Sequence, residues 1–215
     1  MTALEYVKQR KIVAIVRGLE PDYLLRLGHA FVEGGIGLME LTYDQRAPES
    51  WAATAKGIEA VEKEFGDRLL VGAGTVITPE QVRLTYEAGG HYLVTPTTQP
   101  EIIRMGKDLG LGLFPGAFSA TEILSAYEAG ADAVKVFPAS CVGPGYIKAI
   151  RGPLSHIPLM AVGGVNDKNA GDFIRAGCVG VGVGGNLVNK EWIENGEWDK
   201  ITELAKSYIK AVREV

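Results

Sequence analysis

Four stretches of this chain pass from helix to strand in the same way. Val32-Glu33-Gly34-Gly35 precedes Ile36 to Thr42, and Tyr86-Glu87-Ala88-Gly89-Gly90 precedes His91 to Thr95. Tyr127-Glu128-Ala129-Gly130 precedes Ala131 to Phe137, and Ile174-Arg175-Ala176-Gly177 precedes Cys178 to Val183. Each reads as the last turn of an amphipathic helix, a glycine suited to the left-handed cap, and a short apolar strand. The copies lie roughly 40 to 55 residues apart, about twice the length of one βα unit. The alternate strands fall between them: Gly66 precedes Leu69 to Ala73, Gly110 precedes Leu111 to Phe114, and Pro158 opens Leu159 to Val162. The run Ile12 to Val16 comes first. Eight strand candidates, each followed by a helical pattern, predict an α/β fold of the (β/α)8 TIM-barrel type. A doubly wound open sheet is the competing arrangement. Met1 to Gln9 reads as a short preliminary helix and Trp198 to Glu214 as a closing one.

Size and composition remove several classes of function. The chain has 215 residues, and no Pro/Ser-rich linker or composition break divides it, so residues 1–215 are read as a single domain. Hydrophobic content of 47% and charged content of 22% leave room for a full core. The net charge is −4, with no run of Lys and Arg, so no nucleic-acid surface is expected. The apolar stretch Ile12 to Val16 is closed by Arg17 and is too short for a membrane span or a secretory core. Cys141 and Cys178 form no metal-type or redox-type pair and suit a reducing cytoplasm. His29, His91 and His156 are equally scattered, so no metal site is expected.

In barrels of this kind the chemistry sits at the carboxyl ends of the strands. Lys135 lies there, in Ala133-Val134-Lys135-Val136-Phe137-Pro138. Alternation puts Lys135 on one face with Ala133 and Phe137. An ammonium desolvated among such neighbours loses proton affinity, and the neutral amine attacks carbonyl carbon. The competing reading is a strand-end lysine that snorkels to water. Glu40 interrupts the second strand on the face of Leu38 and Thr42. It is either a structural carboxylate paired with Lys135 or Arg17, or a general acid/base tuned by burial and those cations. Arg17, on the face of Val13 and Ile15, offers a fork for a carboxylate, or is a surface arginine. Gly163-Gly164 and Gly184-Gly185 follow the last two strands, where backbone N–H groups commonly bind phosphate; tight βα turns are the plainer explanation. Thr95-Pro96 and Phe137-Pro138 either end their strands or wall the amine from water.

With these residues in place the chain resembles the 2-keto-3-deoxy-6-phosphogluconate / 4-hydroxy-2-oxoglutarate aldolase family. The matching segments are Ala14-Ile15-Val16-Arg17-Gly18, Met39-Glu40-Leu41-Thr42, Gly72-Ala73-Gly74-Thr75-Val76, Val94-Thr95-Pro96, Pro115-Gly116, Lys135-Val136-Phe137-Pro138 and Ala161-Val162-Gly163-Gly164-Val165. They span essentially the whole chain. The resemblance implies a homotrimer of (β/α)8 subunits that needs no metal or other cofactor. It implies Lys135 as the Schiff-base lysine and Glu40 as the proton shuttle. It also implies Arg17 and Thr75 as binders of the pyruvyl carboxylate, Gly163 and Gly164 as a backbone phosphate site, and Phe137-Pro138 beside the imine. Two positions depart from the pattern. Asp44 stands where some members carry arginine, so the carboxylate leans on Arg17. Gly185 stands where serine often gives phosphate a hydroxyl. With Asp44 and Gln45 near the far end of the substrate, that departure argues for hydroxyl groups there rather than a dianion.

The activity implied is retro-aldol cleavage of a 2-keto-4-hydroxy acid to pyruvate and an aldehyde, with Lys135 and Glu40 bridged by water rather than locked as an ion pair. Two alternatives stay open on the residues alone. One is another phosphate-binding barrel, such as a thiamin-phosphate-synthase-like transferase or a sugar-phosphate isomerase. The other is a non-catalytic barrel that binds 2-keto acids through Arg17.

Overall fold

Strand and helix boundaries follow the glycine-punctuated pattern closely. The structure, a computed structural model, describes residues 1–19 and 21–214. Nine strand segments are present among these residues: β1 (Ile12–Val16), β2 (Leu38–Thr42), β3 (Leu70–Gly74), β4 (Tyr92–Val94), β5 (Gly112–Phe114), β6 (Gly116–Ala117), β7 (Val134–Val136), β8 (Leu159–Val162) and β9 (Gly180–Val183). All ladders are parallel, in the order β5-β4-β3-β2-β1-β9-β8-β7-β6. The two ends of that order are neighbours in sequence, separated only by Pro115. They are halves of one barrel strand, one pairing with β4 and the other with β7.

The sequence pattern ends this fifth strand at Phe114; the structure carries it on as β6. Proline has no N–H to give a ladder, yet its carbonyl still accepts. The Lys135 amide donates to Pro115 O at 2.9 Å and the Phe137 amide to Ala117 O at 3.0 Å. A (β/α)8 barrel results.

Helices α1 (Ala3–Arg10), α2 (Pro21–Glu33), α3 (Trp51–Phe65), α4 (Pro79–Glu87), α5 (Pro100–Asp108), α6 (Ala120–Glu128), α7 (Gly143–Ile150), α8 (Ala170–Arg175), α9 (Lys190–Glu194) and α10 (Trp198–Arg213) accompany the strands. Several start where the sequence supplies a cap. Thr78 with Gln81 opens α4, and Ser119 with Glu122 opens α6, both as reciprocal capping boxes.

Two cores result. The larger lies between the helices and the outer faces of the strands. The smaller fills the amino-terminal half of the barrel with Val13, Leu38, Leu70, Tyr92, Val94, Phe114, Ala133 and Met160. Ala3, Tyr6 and Val7 of α1 close it from below. Each of its Val, Leu, Phe and Met side chains contributes about 1.5–3 kcal/mol on full burial. This lower half of the interior is therefore filled; a cleft of about 280 Å³ lies beside α1, and two further clefts open at the opposite end. No helix of the described residues is long and apolar enough to cross a membrane.

Candidate active site

Strand register brings the two interior charges onto one level of the barrel. Glu40 on β2 is flanked by Ile15 and Gly72, and Lys135 on β7 by Gly116 and Met160. Both point inward, only 2% and 5% exposed, so Lys135 does not snorkel to solvent. Glycines make the space. A methyl group at Gly74 would collide with the Glu40 carboxylate, and one at Gly72 with the Tyr92 ring. A methyl at Gly116 would strike the Pro96 carbonyl. Beneath the charges, Tyr92 donates its hydroxyl hydrogen bond to Met39 O at 2.7 Å. Burial, and then the Glu40 charge, push its phenol well above the ordinary range, so it stays neutral.

Burial governs the electrostatics. It lowers the proton affinity of Lys135; the Glu40 carboxylate opposes this and the Arg17 guanidinium adds to it. Burial also raises the pKa of Glu40, against the pull of Lys135 and Arg17. The two groups feel each other, yet they are not among the ion pairs formed by the described residues. Among the described residues the sealed side-chain atoms without partners are Arg10 Nε and Trp198 Nε1. The Glu40 oxygens and Lys135 Nζ, which make no hydrogen bond to these residues, therefore border open space. The Phe137 ring centroid lies 4.8 Å from Nζ, and the residue is 38% exposed. A charged amine would gain from that ring face; the stronger desolvation still shifts Lys135 toward the neutral form.

Two clefts open at this end and share Arg17. The smaller, about 240 Å³, is bounded by Lys135, Phe137, Gly163, Gly164, Gly184 and Gly185. The larger, about 670 Å³, contains Thr42, Asp44, Gln45 and Thr75 but does not reach Lys135. Arg17 joins the cleft holding Thr75 to the smaller one, into which the amine opens.

Its far wall is backbone. Gly163 and Gly164 have φ of +92° and +73°, a conformation that glycine adopts without strain. The carbonyls of this loop are occupied on the other side. Gly163 O accepts from the Ser140 amide at 3.0 Å, Gly164 O from Asn169 Nδ2 at 3.1 Å, and Val165 O from Asn186 Nδ2 at 2.9 Å. The N–H groups of Gly163, Gly164, Gly184 and Gly185 make no protein hydrogen bond among the described residues. Such a concave row of donors suits an anion.

The remaining predicted residues divide. Thr75 and Arg17 share the larger cleft. Pro96 lines neither cleft; its carbonyl packs on Gly116 behind Lys135. Asp44 and Gln45 do not present free groups as the sequence suggests. Arg46 holds Asp44 with Nε–Oδ1 at 3.1 Å and Nη2–Oδ2 at 2.9 Å, and these hydrogen bonds keep its pKa down at about 2. Gln45 spends its amide on Thr75 O and Gln81. Gln81, Asn169 and Asn186 were not singled out from sequence. Only Gln81 left a legible signal, three residues after the helix-opening Thr78. Among the described residues no group of three His, Cys, Asp or Glu side chains could hold a metal ion.

A family model for KDPG and KHG aldolase matches residues 4–204. The chain belongs to this aldolase family. It is thus a carbon–carbon lyase. It is 36% identical over 212 residues to the 2-dehydro-3-deoxy-6-phosphogalactonate aldolase of Escherichia coli K12, covering 98% of each chain. It is 31% identical to the 2-dehydro-3-deoxy-phosphogluconate aldolase of Haemophilus influenzae, covering 98% of this chain and 96% of the other. Among solved structures, the KDPG aldolase of Legionella pneumophila, with pyruvate captured at low pH as a covalent carbinolamine, is similar at a TM-score of 0.86. That match has 28% identity and covers 97% of this chain and 98% of the other.

Proposed function

We propose that this aldolase cleaves a phosphorylated 2-keto-3-deoxy sugar acid through an imine on Lys135, releasing pyruvate and glyceraldehyde 3-phosphate. The observation that carries the reading is the buried Lys135 amine, its proton affinity lowered, facing a chamber whose opposite wall is unpartnered backbone N–H. Neutral Lys135 attacks the C2 ketone, and loss of water from the carbinolamine gives a protonated imine. That imine accepts the electron pair of the C3–C4 bond as it breaks. Glu40, with its raised proton affinity, takes the C4 hydroxyl proton directly or through a water. The enamine then takes a proton at C3, and hydrolysis of the new imine frees pyruvate. Arg17 and Thr75 hold the carboxylate, while Phe137, with Pro96 behind the amine, limits water near the imine.

The amides of Gly163, Gly164, Gly184 and Gly185 receive the terminal phosphate. The missing hydroxyl at Gly185 favours a second reading, in which the shorter 4-hydroxy-2-oxoglutarate is cleaved to pyruvate and glyoxylate. A panel of 2-keto-4-hydroxy acids with and without terminal phosphate separates the two by kcat/KM. Borohydride added with pyruvate tests the chemistry itself: a reduced adduct is expected on the peptide holding Lys135 and is lost in Lys135→Ala. Turnover by Lys135→Ala at the parent rate would end the reading. The same proposal takes residues 1–215 as one domain that acts in the cytoplasm as a homotrimer. The exposed Phe118, Leu124 and Tyr127 supply an apolar face for subunit contact. Sedimentation equilibrium at three times the 23.0 kDa chain mass is the expected result.

A further inference from the structure

We infer that Gln45 is a positioning residue that holds Thr75 in a left-handed backbone conformation, aiming its free N–H and hydroxyl at the substrate carboxylate beside Arg17. This rests on the imine reading above and names what builds its carboxylate site. Thr75 has φ of +57°. A β-branched residue rarely adopts that region, and such strain persists only where neighbours over-determine it.

The neighbours are specific. The peptide before Thr75 is pinned by the Tyr43 amide, which donates to Gly74 O at 3.0 Å. The peptide after it is pinned by Gln45 Nε2, which donates to Thr75 O at 2.6 Å. Both donors sit in the loop that follows β2, the strand carrying Glu40. With both carbonyls drawn toward that loop, the Thr75 N–H is left without a protein partner among the described residues, and so is its hydroxyl. Thr75, Gln45 and Arg17 line one cleft.

The orientation of Gln45 is itself dictated. Gln81 is 0% exposed, and its Oε1 accepts from the amides of Ile77 at 2.8 Å and Thr78 at 3.2 Å. Its Nε2 must therefore donate, and it does so to Gln45 Oε1 at 3.1 Å. Gln45 is left with only Nε2 to offer Thr75. A relay of two side-chain amides thus runs from the capped start of α4 to the strained threonine.

Borohydride trapping of pyruvate, read as a function of pyruvate concentration, tests the clamp. Gln45→Ala is expected to raise the half-saturating pyruvate about tenfold, the scale of one lost hydrogen bond in a binding site. The limiting trapping rate should stay near that of the parent. Hydroxyacetone, a ketone without a carboxylate, should saturate both proteins alike. Gln81→Glu keeps the acceptors that cap α4, and once ionised it cannot donate to Gln45, so above the pKa of that carboxyl it should raise the pyruvate requirement, with thermal melts checking the fold. Equal losses for pyruvate and hydroxyacetone would show a merely structural role and overturn the inference. Unchanged pyruvate saturation in folded Gln45→Ala would overturn it too, leaving the imine reading untouched. A parent protein that traps no pyruvate on Lys135 would instead overturn the imine reading, and the clamp's purpose with it.

Discussion

The two ends of the barrel use the same strands and the same inward faces with opposite residue choices. At the amino end the inward positions are Leu38, Leu70, Phe114 and Ala133, packed with Tyr92 over α1. Two residues further along the same faces stand Glu40, Gly72, Gly116 and Lys135. Side chains fill the first level; the second exchanges bulk for glycine and places two ionisable groups in the space gained. At the second level Glu40 and Lys135 are buried, and that burial moves their proton affinities toward each other. Apolar packing is concentrated at one end of the barrel and the buried charges at the other.

Substitutions at the two levels should separate these properties. Under the proposed chemistry Glu40→Gln lowers kcat by ~10²–10⁴-fold, the usual worth of a positioned acid/base. It should also stabilise the fold at neutral pH. The folded-state pKa of Glu40 lies above its ordinary 4.5, so its contribution to folding is present below that value and lost as pH rises through the folded pKa. Thermal melts of parent and variant should therefore converge in acid and part near neutrality, with the variant higher. Leu38→Ala, one level down, reverses the pattern: about 2–5 kcal/mol of stability lost in urea titration, with kcat per folded molecule unchanged.

Gly74→Ala drives a methyl into the Glu40 carboxylate. Turnover should fall on the order of 10²-fold, the cost of a ~1 Å misplacement, with little change in melting temperature. If Gly74→Ala damages stability more than rate, the glycine serves packing and the contrast between the levels weakens. The smallest effect concerns pH. Attack needs a neutral Lys135, so pyruvate trapping rises with pH through the pKa of that amine. Arg17 lowers this pKa, and Arg17→Met should move the acid limb to higher pH, modestly because Arg17 is exposed and its charge is screened. A limb that moves the other way would mean that Arg17 does not act on the amine as a neighbouring charge.

Much of this was readable in one dimension. Ile12–Val16 and Leu159–Val162 end where the apolar runs end, because a parallel strand buried on both faces leaves an uninterrupted hydrophobic signature. Alternation alone put Lys135 and Glu40 on the inward face. Less legible was the fifth strand, broken at Pro115 and continued by a carbonyl that composition does not reveal. The roles of Asp44 and Gln45 were also hidden. Both are polar residues after a strand end, and sequence suggests they face substrate; Arg46 and Thr75 O claim them instead. Nothing local marks Thr75 as left-handed, since threonine ordinarily avoids that region.

Periodicity and glycine spacing, being properties of neighbouring residues, carried the strand count, the barrel and the inward direction of the two charges. Distances between strands are another matter. Whether Glu40 and Lys135 would meet as an ion pair or stand apart, and whether a free polar side chain would find substrate or a carbonyl, depended on ring closure. Closure decides how much water remains around each group, and no stretch of chain read alone contains that information.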